Sequence, residues 1–226
     1  MGDLADILRR GANGAWGLGL TEGQLAQFAR YAELLVEWNA ARLNLTRLTS
    51  PRDIAVKHFL DSLAVLKAVD VPHGASVIDV GTGAGLPGLA LKIARPDLRM
   101  TLLDATAKKL VFCRAVADGL GLGAVTTIHA RAEDAGRQPA HAGAYDFALA
   151  RAVAPLERLL PWCVPFVRPG GLVVALKGAS VAEELPAARP VARRLGLTLS
   201  PPLRVELPEA EEPLTRFLIT VRRPRR

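Results

Sequence analysis

The residues best able to do chemistry cluster between positions 77 and 104. Val77-Ile78-Asp79-Val80 runs directly into Gly81-Thr82-Gly83-Ala84-Gly85-Leu86-Pro87-Gly88. A β-branched run that ends near an acid, enters a glycine-rich turn and then a helical stretch builds a ligand site out of backbone. Glycine at 81 and 83 lets the chain bend tightly and lets a ligand approach with no Cβ in the way. The helix start beyond offers free N–H groups to polar ligand atoms. Gly83, Gly85 and Gly88 satisfy G-x-G-x-x-G, a pattern that alone also suits a dinucleotide. Asp79 weighs against that reading. At the strand end it can meet a ligand ammonium, directly or through water, whereas beside a pyrophosphate it would face a second negative charge.

Other candidates follow the same geometry. Asp104 ends the next strand-like run, where a carboxylate can accept from both ribose hydroxyls of a nucleoside cofactor, whether NAD or S-adenosylmethionine. It can also cap the helix that starts beyond Ala105, and the two roles are compatible. Glu133, read alone, is an exposed acid at a helix start. Arg151 ends the fourth run and faces the same crevice. It suits a cofactor contact first, a contact to the substrate second, and a salt bridge to Asp146 or Glu157 as the structural alternative. Lys177, after the fifth run, is either a contact to the substrate or a surface lysine with a buried stem. His58 could act as a base or be a hydrogen-bonded structural histidine. On its helix, Asp61 and Ser62 are placed to pin that helix to the glycine loop. Trp38 and Trp162 read as core rather than as stacking platforms.

The elements that position these residues change character at Ser76. Before it the pattern is helical. Met1 to Arg10 reads as a short amphipathic helix. Thr21 and Gln24 form a T-x-x-Q capping box, with Leu25, Phe28, Ala32 and Leu35 at helical spacing behind it. After a turn around Asn44 to Thr49, Ser50 caps a helix with Pro51 at its first position, running to about Ala68. From Ser76 on, strands are expected at Val77–Val80, Met100–Asp104, Val125–His129, Phe147–Ala150 and Leu172–Leu176. Helices are expected at Leu86–Ala94, Ala107–Leu120, Leu156–Val167 and Val181–Leu195. This alternation implies parallel β-α-β units. Stretches near Leu197–Leu207 and Phe217–Val221 should close the sheet as an antiparallel hairpin. The division expected is a helical extension over 1–74 and an α/β domain over 75–226.

Composition bounds the class. With 226 residues, half of them hydrophobic, the chain can bury one large α/β core. Cys113 and Cys163 form no metal-spacing or disulfide pattern, so no metal and a reduced, cytoplasmic setting are expected. No secretory signal and no membrane span are expected either. The net charge is +7, and residues 1–74 hold 8 basic and 8 acidic side chains, leaving 21 and 14 of the chain's 29 and 22 for the remainder. The whole positive excess therefore lies in residues 75–226. That suits a polyanionic partner, or simply an arginine-rich solvated surface.

The set D-V-G-T-G-A-G at 79–85 resembles motif I of class I methyltransferases. A wider series resembles the RsmG (GidB) family: Asn44-Leu45-Thr46, His58-Phe59-Leu60-Asp61-Ser62-Leu63, Gly81 to Gly88, Leu103-Asp104-Ala105-Thr106 with Lys108 and Lys109, Arg131-Ala132-Glu133, Ala150-Arg151-Ala152, and Ala175-Leu176-Lys177-Gly178. These segments come in the family order and span most of the chain, though nothing from Ser180 onward matches. The resemblance implies a class I methyltransferase fold, Rossmann-like, with an N-terminal helical extension. It implies methyl transfer from S-adenosylmethionine to N-7 of a guanine in 16S rRNA, near the decoding region, with the RNA or the small subunit as substrate; a monomer is expected. It places cofactor contacts at Gly81, Leu86, Asp104, Ala105, Thr106, Ala132, Glu133 and Arg151, to which the residue reading adds Asp79 and Gly83. No catalytic side chain is assigned; Arg151, Lys177 and His58 are the candidates. A methyltransferase for a small molecule or protein, and a nicotinamide oxidoreductase or nucleotide-binding module, are the rival readings.

Overall fold

The computed structural model describes residues 2–40 and 44–225. Met1, at the start of the expected first helix, and Arg226, at the end of the basic tail, lie outside them. The first described helix is α1 (Gly2–Leu8), which winds on through a wider π-type stretch, Arg9–Ala15. The capping box forms as expected. The Gln24 N–H donates to Thr21 Oγ1 at 3.2 Å and the Thr21 N–H donates to Gln24 Oε1 at 2.8 Å, opening α2 (Glu22–Trp38). Ser50 Oγ accepts from the Asp53 N–H at 3.0 Å, and Pro51 starts α3 (Pro51–Asp53). Winding continues through a π-type stretch, Ile54–Leu60, into α4 (Asp61–Ala68). Such widened turns are frequent at functional sites, and this one carries His58.

The remaining residues form a seven-stranded sheet. Its strands are β1 (Ser76–Val80), β2 (Arg99–Asp104), β3 (Val125–His129), β4 (Tyr145–Arg151), β5 (Val167–Lys177), β6 (Leu203–Leu207) and β7 (Leu214–Arg222), in the order β3-β2-β1-β4-β5-β7-β6. The first five are parallel, and β7 runs antiparallel between β5 and β6. The connecting helices are α5 (Gly88–Ala94), α6 (Ala107–Gly119), α7 (Ala132–Ala135), α8 (Leu156–Cys163) and α9 (Val181–Arg194). Strand order reverses between β1 and β4. In such sheets the crevice beyond the strand ends at the reversal is where ligands bind.

Alternation along the strands builds two cores. Val77, Met100, Leu102, Phe147, Leu149 and Val174 face one layer with the N-terminal helices, α5 and α6, while Ile78, Val80, Leu103, Ala148, Ala150 and Val173 face α7, α8 and α9. The helices of residues 2–68 thus share one continuous core with the sheet. Phe28, Tyr31 and Phe59 are fully buried within it, with ring centroids 4.9 Å apart for Phe28–Phe59 and 5.2 Å for Tyr31–Phe59.

Several boundaries differ from expectation: β4, β5 and β7 start earlier than expected, at Tyr145, Val167 and Leu214, and others differ for a local reason. α5 starts at Gly88, not Leu86, because residues 84–87 close a turn in which the Gly85 and Leu86 N–H groups both donate to Thr82 O. α8 stops at Cys163 instead of continuing to Val167. Pro165 sits in a short 3-10 turn, Val164–Phe166, and β5 begins at once. α7 is the single turn at whose start Glu133 was read, and its four residues are too few to show periodicity. The sixth strand is confined to Leu203–Leu207, with only an isolated bridge at Leu199 before it. Pro201 and Pro202 have no N–H to give a ladder.

Because helical layer and sheet share a core, they should unfold together. Phe59→Ala is expected to cost about 3–5 kcal/mol, read as a lower midpoint in urea with a single transition by both circular dichroism and tryptophan fluorescence. Two separated transitions would show that the helical layer folds independently.

Candidate active site

The glycine loop is clamped from three sides. From below, Asp79 Oδ2 accepts from the Thr82 hydroxyl at 2.6 Å and from the Gly88 N–H at 2.9 Å. The side chain is wholly buried, and its Oδ1 has no partner among the described residues. Asp79 therefore lies beneath the loop and is not on a cavity wall. It shapes the site; it does not line it. Burial pushes its pKa up to about 6 despite these two donors. Gly88 has to be glycine for contact reasons, since a Cβ there would sit 2.6 Å from Leu102 Cδ2 and 2.9 Å from Asp79 Oδ2.

The second clamp is Asp104. Its Oδ2 accepts from the Gly83 N–H at 2.9 Å and its Oδ1 from the Thr106 N–H at 2.8 Å, with the Lys109 ammonium 3.8 Å away. Gly83 has φ +58, in the left-handed region. The third clamp comes from the helical layer, where the buried Tyr31 hydroxyl donates to Ala84 O. Burial holds that phenol well above its ordinary pKa, so it stays a donor. The expected pinning of the loop by Asp61 and Ser62 is not what forms. Ser62 donates to His58 O within its own helix, and Asp61 turns toward β4 and β7.

Two adjoining cavities open over the loop. The smaller, about 360 Å³, is lined by Gly81, Asp104, Ala105, Ala132, Glu133 and, from α8, Arg158 and Trp162. An ionised carboxylate offers about four acceptor positions, so the two backbone donors on Asp104 leave room for two ribose hydroxyls. Backbone of residues 130–133 can meet the edge of a base. Trp162 lies on this wall and is only half-buried, in contrast to the core position expected for it. The Arg158 guanidinium stacks over its ring at 5.4 Å. Spacing of i, i+4 on one helix was the signal available for that pair. Trp38 is also half-buried, packing its ring edge-on against Phe112. Thr106 is exposed beside this cavity, at the start of α6.

The larger cavity, about 820 Å³, shares Gly81, Lys109, Ala152 and Val153 with the first and adds Gly83, Leu86, His58, Asp61, Arg151, Lys177 and Arg216. Arg151 and Lys177 are brought together here with Lys109; Lys108 is exposed on α6 and does not line it. Arg151 Nη1 donates to Asp61 Oδ2 at 2.9 Å and to Lys57 O at 3.1 Å. Its partner is thus neither Asp146, which holds Ser76 and Arg168, nor Glu157. Lys177 is neither a free phosphate contact nor a surface lysine. It donates to Ala154 O at 2.6 Å and to Glu184 Oε2 at 2.8 Å, bracing the turn after β4 against α9. Arg216 escaped the sequence reading altogether, since nothing local links it to Asp61, 155 residues away.

Among the described residues, the cavities hold no activated nucleophile. His58 Nε2 lies 2.8 Å from Thr46 Oγ1, and burial together with the nearby Arg151 charge pulls its pKa down to about 4. Cys113 and Cys163 are buried, which raises Cys163 to about 12 and Cys113 further. What the described residues offer is the Asp104 carboxylate, backbone donors and positive charge.

Comparison with known proteins agrees with this geometry. A family profile described as rRNA small subunit methyltransferase G matches residues 24–199. Proteins of that name from Pelotomaculum thermopropionicum and Roseiflexus are 43% and 48% identical, over 99% and 80% of this chain and 92% and 77% of theirs. In fold the chain is similar to a SAM-dependent methyltransferase from Aquifex aeolicus (TM-score 0.56, 18% identical, 79% of this chain and 96% of that one). It is also similar to P. horikoshii TYW2 in complex with MeSAdo (TM-score 0.59, 11% identical, 79% and 65%).

The raised pKa of Asp79 has a definite sign. The folded protein holds this proton more tightly than the unfolded chain, so the contribution is most favourable below the ordinary carboxylate range and is lost as pH rises from about 4 to 6. The loss should be about 3 kcal/mol. Urea unfolding of wild type and Asp79→Asn across pH 4–7.5 checks this. The variant should gain relative stability as pH rises, and parallel curves would rule out a strained buried carboxylate.

Proposed function

We infer the reaction from one premise: this chain belongs to the rRNA small subunit methyltransferase G family. It is an S-adenosylmethionine-dependent methyltransferase of small-subunit ribosomal RNA. Within that activity, we propose that the smaller cavity holds the cofactor's nucleoside, with Asp104 on the ribose and residues 130–133 along the adenine. The larger cavity receives its amino-acid end and the target base. Gly81, Gly83 and Leu86 would line the path between them, with Ala105, Thr106, Ala132 and Glu133 on the nucleoside side. The observation that carries this reading is the Asp104 carboxylate, which takes one backbone donor on each oxygen, from Gly83 and Thr106, and still lines the smaller cavity.

We propose N-7 of a guanine, near the decoding region, as the acceptor. Bound here, S-adenosylmethionine supplies an electrophilic sulfonium methyl. Guanine N-7 carries an in-plane lone pair and no proton, so no general base is required. That suits a site in which the only histidine on the cavity wall, among the described residues, is held neutral and poorly basic. The chain's task is then alignment. The clamped loop fixes the donor side, and the wall at 151–155 with the π-type turn at His58 bounds the space for the base. A protein or small-molecule target would more often need a base to remove a proton from the attacking atom.

Two outcomes are expected. Asp104→Ala should weaken S-adenosylhomocysteine by at least about thirtyfold in calorimetry, the loss of about 2 kcal/mol of charge-assisted bonding; a change under threefold would leave Asp104 a loop tie alone. Small-subunit RNA labelled by the purified protein should cleave at a single guanine after borohydride and aniline, because N-7 methylation makes the ring labile. A labelled product that resists cleavage would move the methyl to another atom.

A further inference from the structure

We infer that Arg151 and Arg216 form an anion cradle in the larger cavity, a site for a carboxylate or phosphate group of a bound ligand. This rests on reading that cavity as the meeting place of donor and target. Asp61, its side chain 5% exposed, gives one oxygen to each arginine, Oδ2 to Arg151 Nη1 at 2.9 Å and Oδ1 to Arg216 Nε at 2.7 Å. Two cations on one carboxylate leave a surplus of one positive charge. The lysines on the same cavity wall have their own acids: Lys57 with Asp53 at 2.6 Å, Lys109 with Asp104 at 3.8 Å and Lys177 with Glu184 at 2.8 Å. Among the described residues, the unmatched charge on this wall therefore belongs to the arginine pair.

The donors are unmatched as well. A guanidinium carries five N–H groups. Among the described residues, Arg151 uses only Nη1, on Asp61 and Lys57 O, and Arg216 only Nε. The two side chains are 15% and 21% exposed, and both border the cavity. A partly desolvated cation is costly without a counter-charge, and two guanidinium forks held by one carboxylate match the planar spread of carboxylate or phosphate oxygens. The reacting base is a poor occupant, because N-7 becomes positive as it is methylated. The cradle instead suits an anionic group that does not react, either the amino-acid carboxylate of the cofactor or a phosphate of the RNA near its target.

Arg216→Gln and Arg216→Lys, titrated with three probes, test the cradle and separate the two sources. The probes are S-adenosylhomocysteine, 5′-methylthioadenosine (which lacks the amino-acid end) and a small-subunit RNA fragment at several salt concentrations. If the group is the carboxylate, Arg216→Gln should weaken S-adenosylhomocysteine at least about tenfold, change methylthioadenosine less than about twofold, and be partly rescued by lysine. If it is a phosphate, both small probes should bind as in wild type, while RNA binding weakens and its salt slope falls by about one. A folded Arg216→Gln protein with all three affinities and the slope unchanged would reduce the cluster to a structural bridge. Should that variant fail to fold, Asp61→Asn raises the local charge to two and keeps both arginines. Anion-dependent binding should then hold or tighten, and its loss would overturn the cradle. Failure of wild type to bind methylthioadenosine would instead count against the nucleoside assignment of the smaller cavity.

Discussion

A carboxylate with no access to water governs the shape of this site. Asp79 ends its strand directly beneath a loop whose own peptide groups cannot all pair with one another, and a single oxygen gathers the Thr82 hydroxyl and the Gly88 N–H. The loop is thereby folded back over β1, and α5 begins where Gly88 can approach that oxygen. Burying the acid raises its pKa to about 6, so the arrangement holds some electrostatic cost in the folded state. The return is a turn whose outer face is backbone, with Gly83 already oriented toward Asp104.

The helical layer is part of the same device. Tyr31 reaches the loop at Ala84 from α2, and the Phe28–Tyr31–Phe59 cluster fixes where Tyr31 stands. Asp61, in the helix that follows, anchors Arg151 and Arg216 beside the larger cavity. Charge is distributed less simply than the sequence suggests. The positive excess lies within residues 75–226, yet part of it is spent at the far end of the sheet, where Arg222 and Arg223 donate to the carbonyls of Gly170 and Val167 at 2.7 Å. Among the described residues, seven Lys and Arg side chains line the two cavities, and five of them lie within 4.0 Å of a carboxylate.

How much of this was legible in the sequence depends on the range of each interaction. Parallel strands announce themselves as short β-branched runs, and caps such as Thr21/Gln24 and Ser50/Asp53 are closed within three residues, so the elements and the sheet class could be read directly. Asp104 and the glycine loop were legible because the crevice at strand ends is a property of topology rather than of particular contacts. Side-chain partners were not. Lys177 finds Glu184 across the start of α9, Arg151 finds Asp61 from 90 residues away, and Tyr31 finds Ala84 from 53. Each depends on how layers stack, which periodicity does not encode. Trp162 misled for a related reason. Its position on α8 was readable, but the face of that helix that carries Arg158 and Trp162 lines the smaller cavity.

The absence of an activated base among the candidates fits the proposed chemistry. In an attack by guanine N-7 on a sulfonium methyl, one positive charge passes from donor to acceptor and no proton needs removing. The total charge in the cavity is constant along the reaction, so strong stabilisation of a newly developing charge would contribute little. Holding the lone pair, methyl and sulfur in line contributes much more. A site built for that purpose should be rigid around the donor and should keep fixed cations off the atom that becomes positive. The loop clamped by Asp79, Asp104 and Tyr31 meets the first requirement. The second follows if the arginine pair is occupied by an anionic group, since the cradle's surplus charge is then neutralised before the base acquires its own.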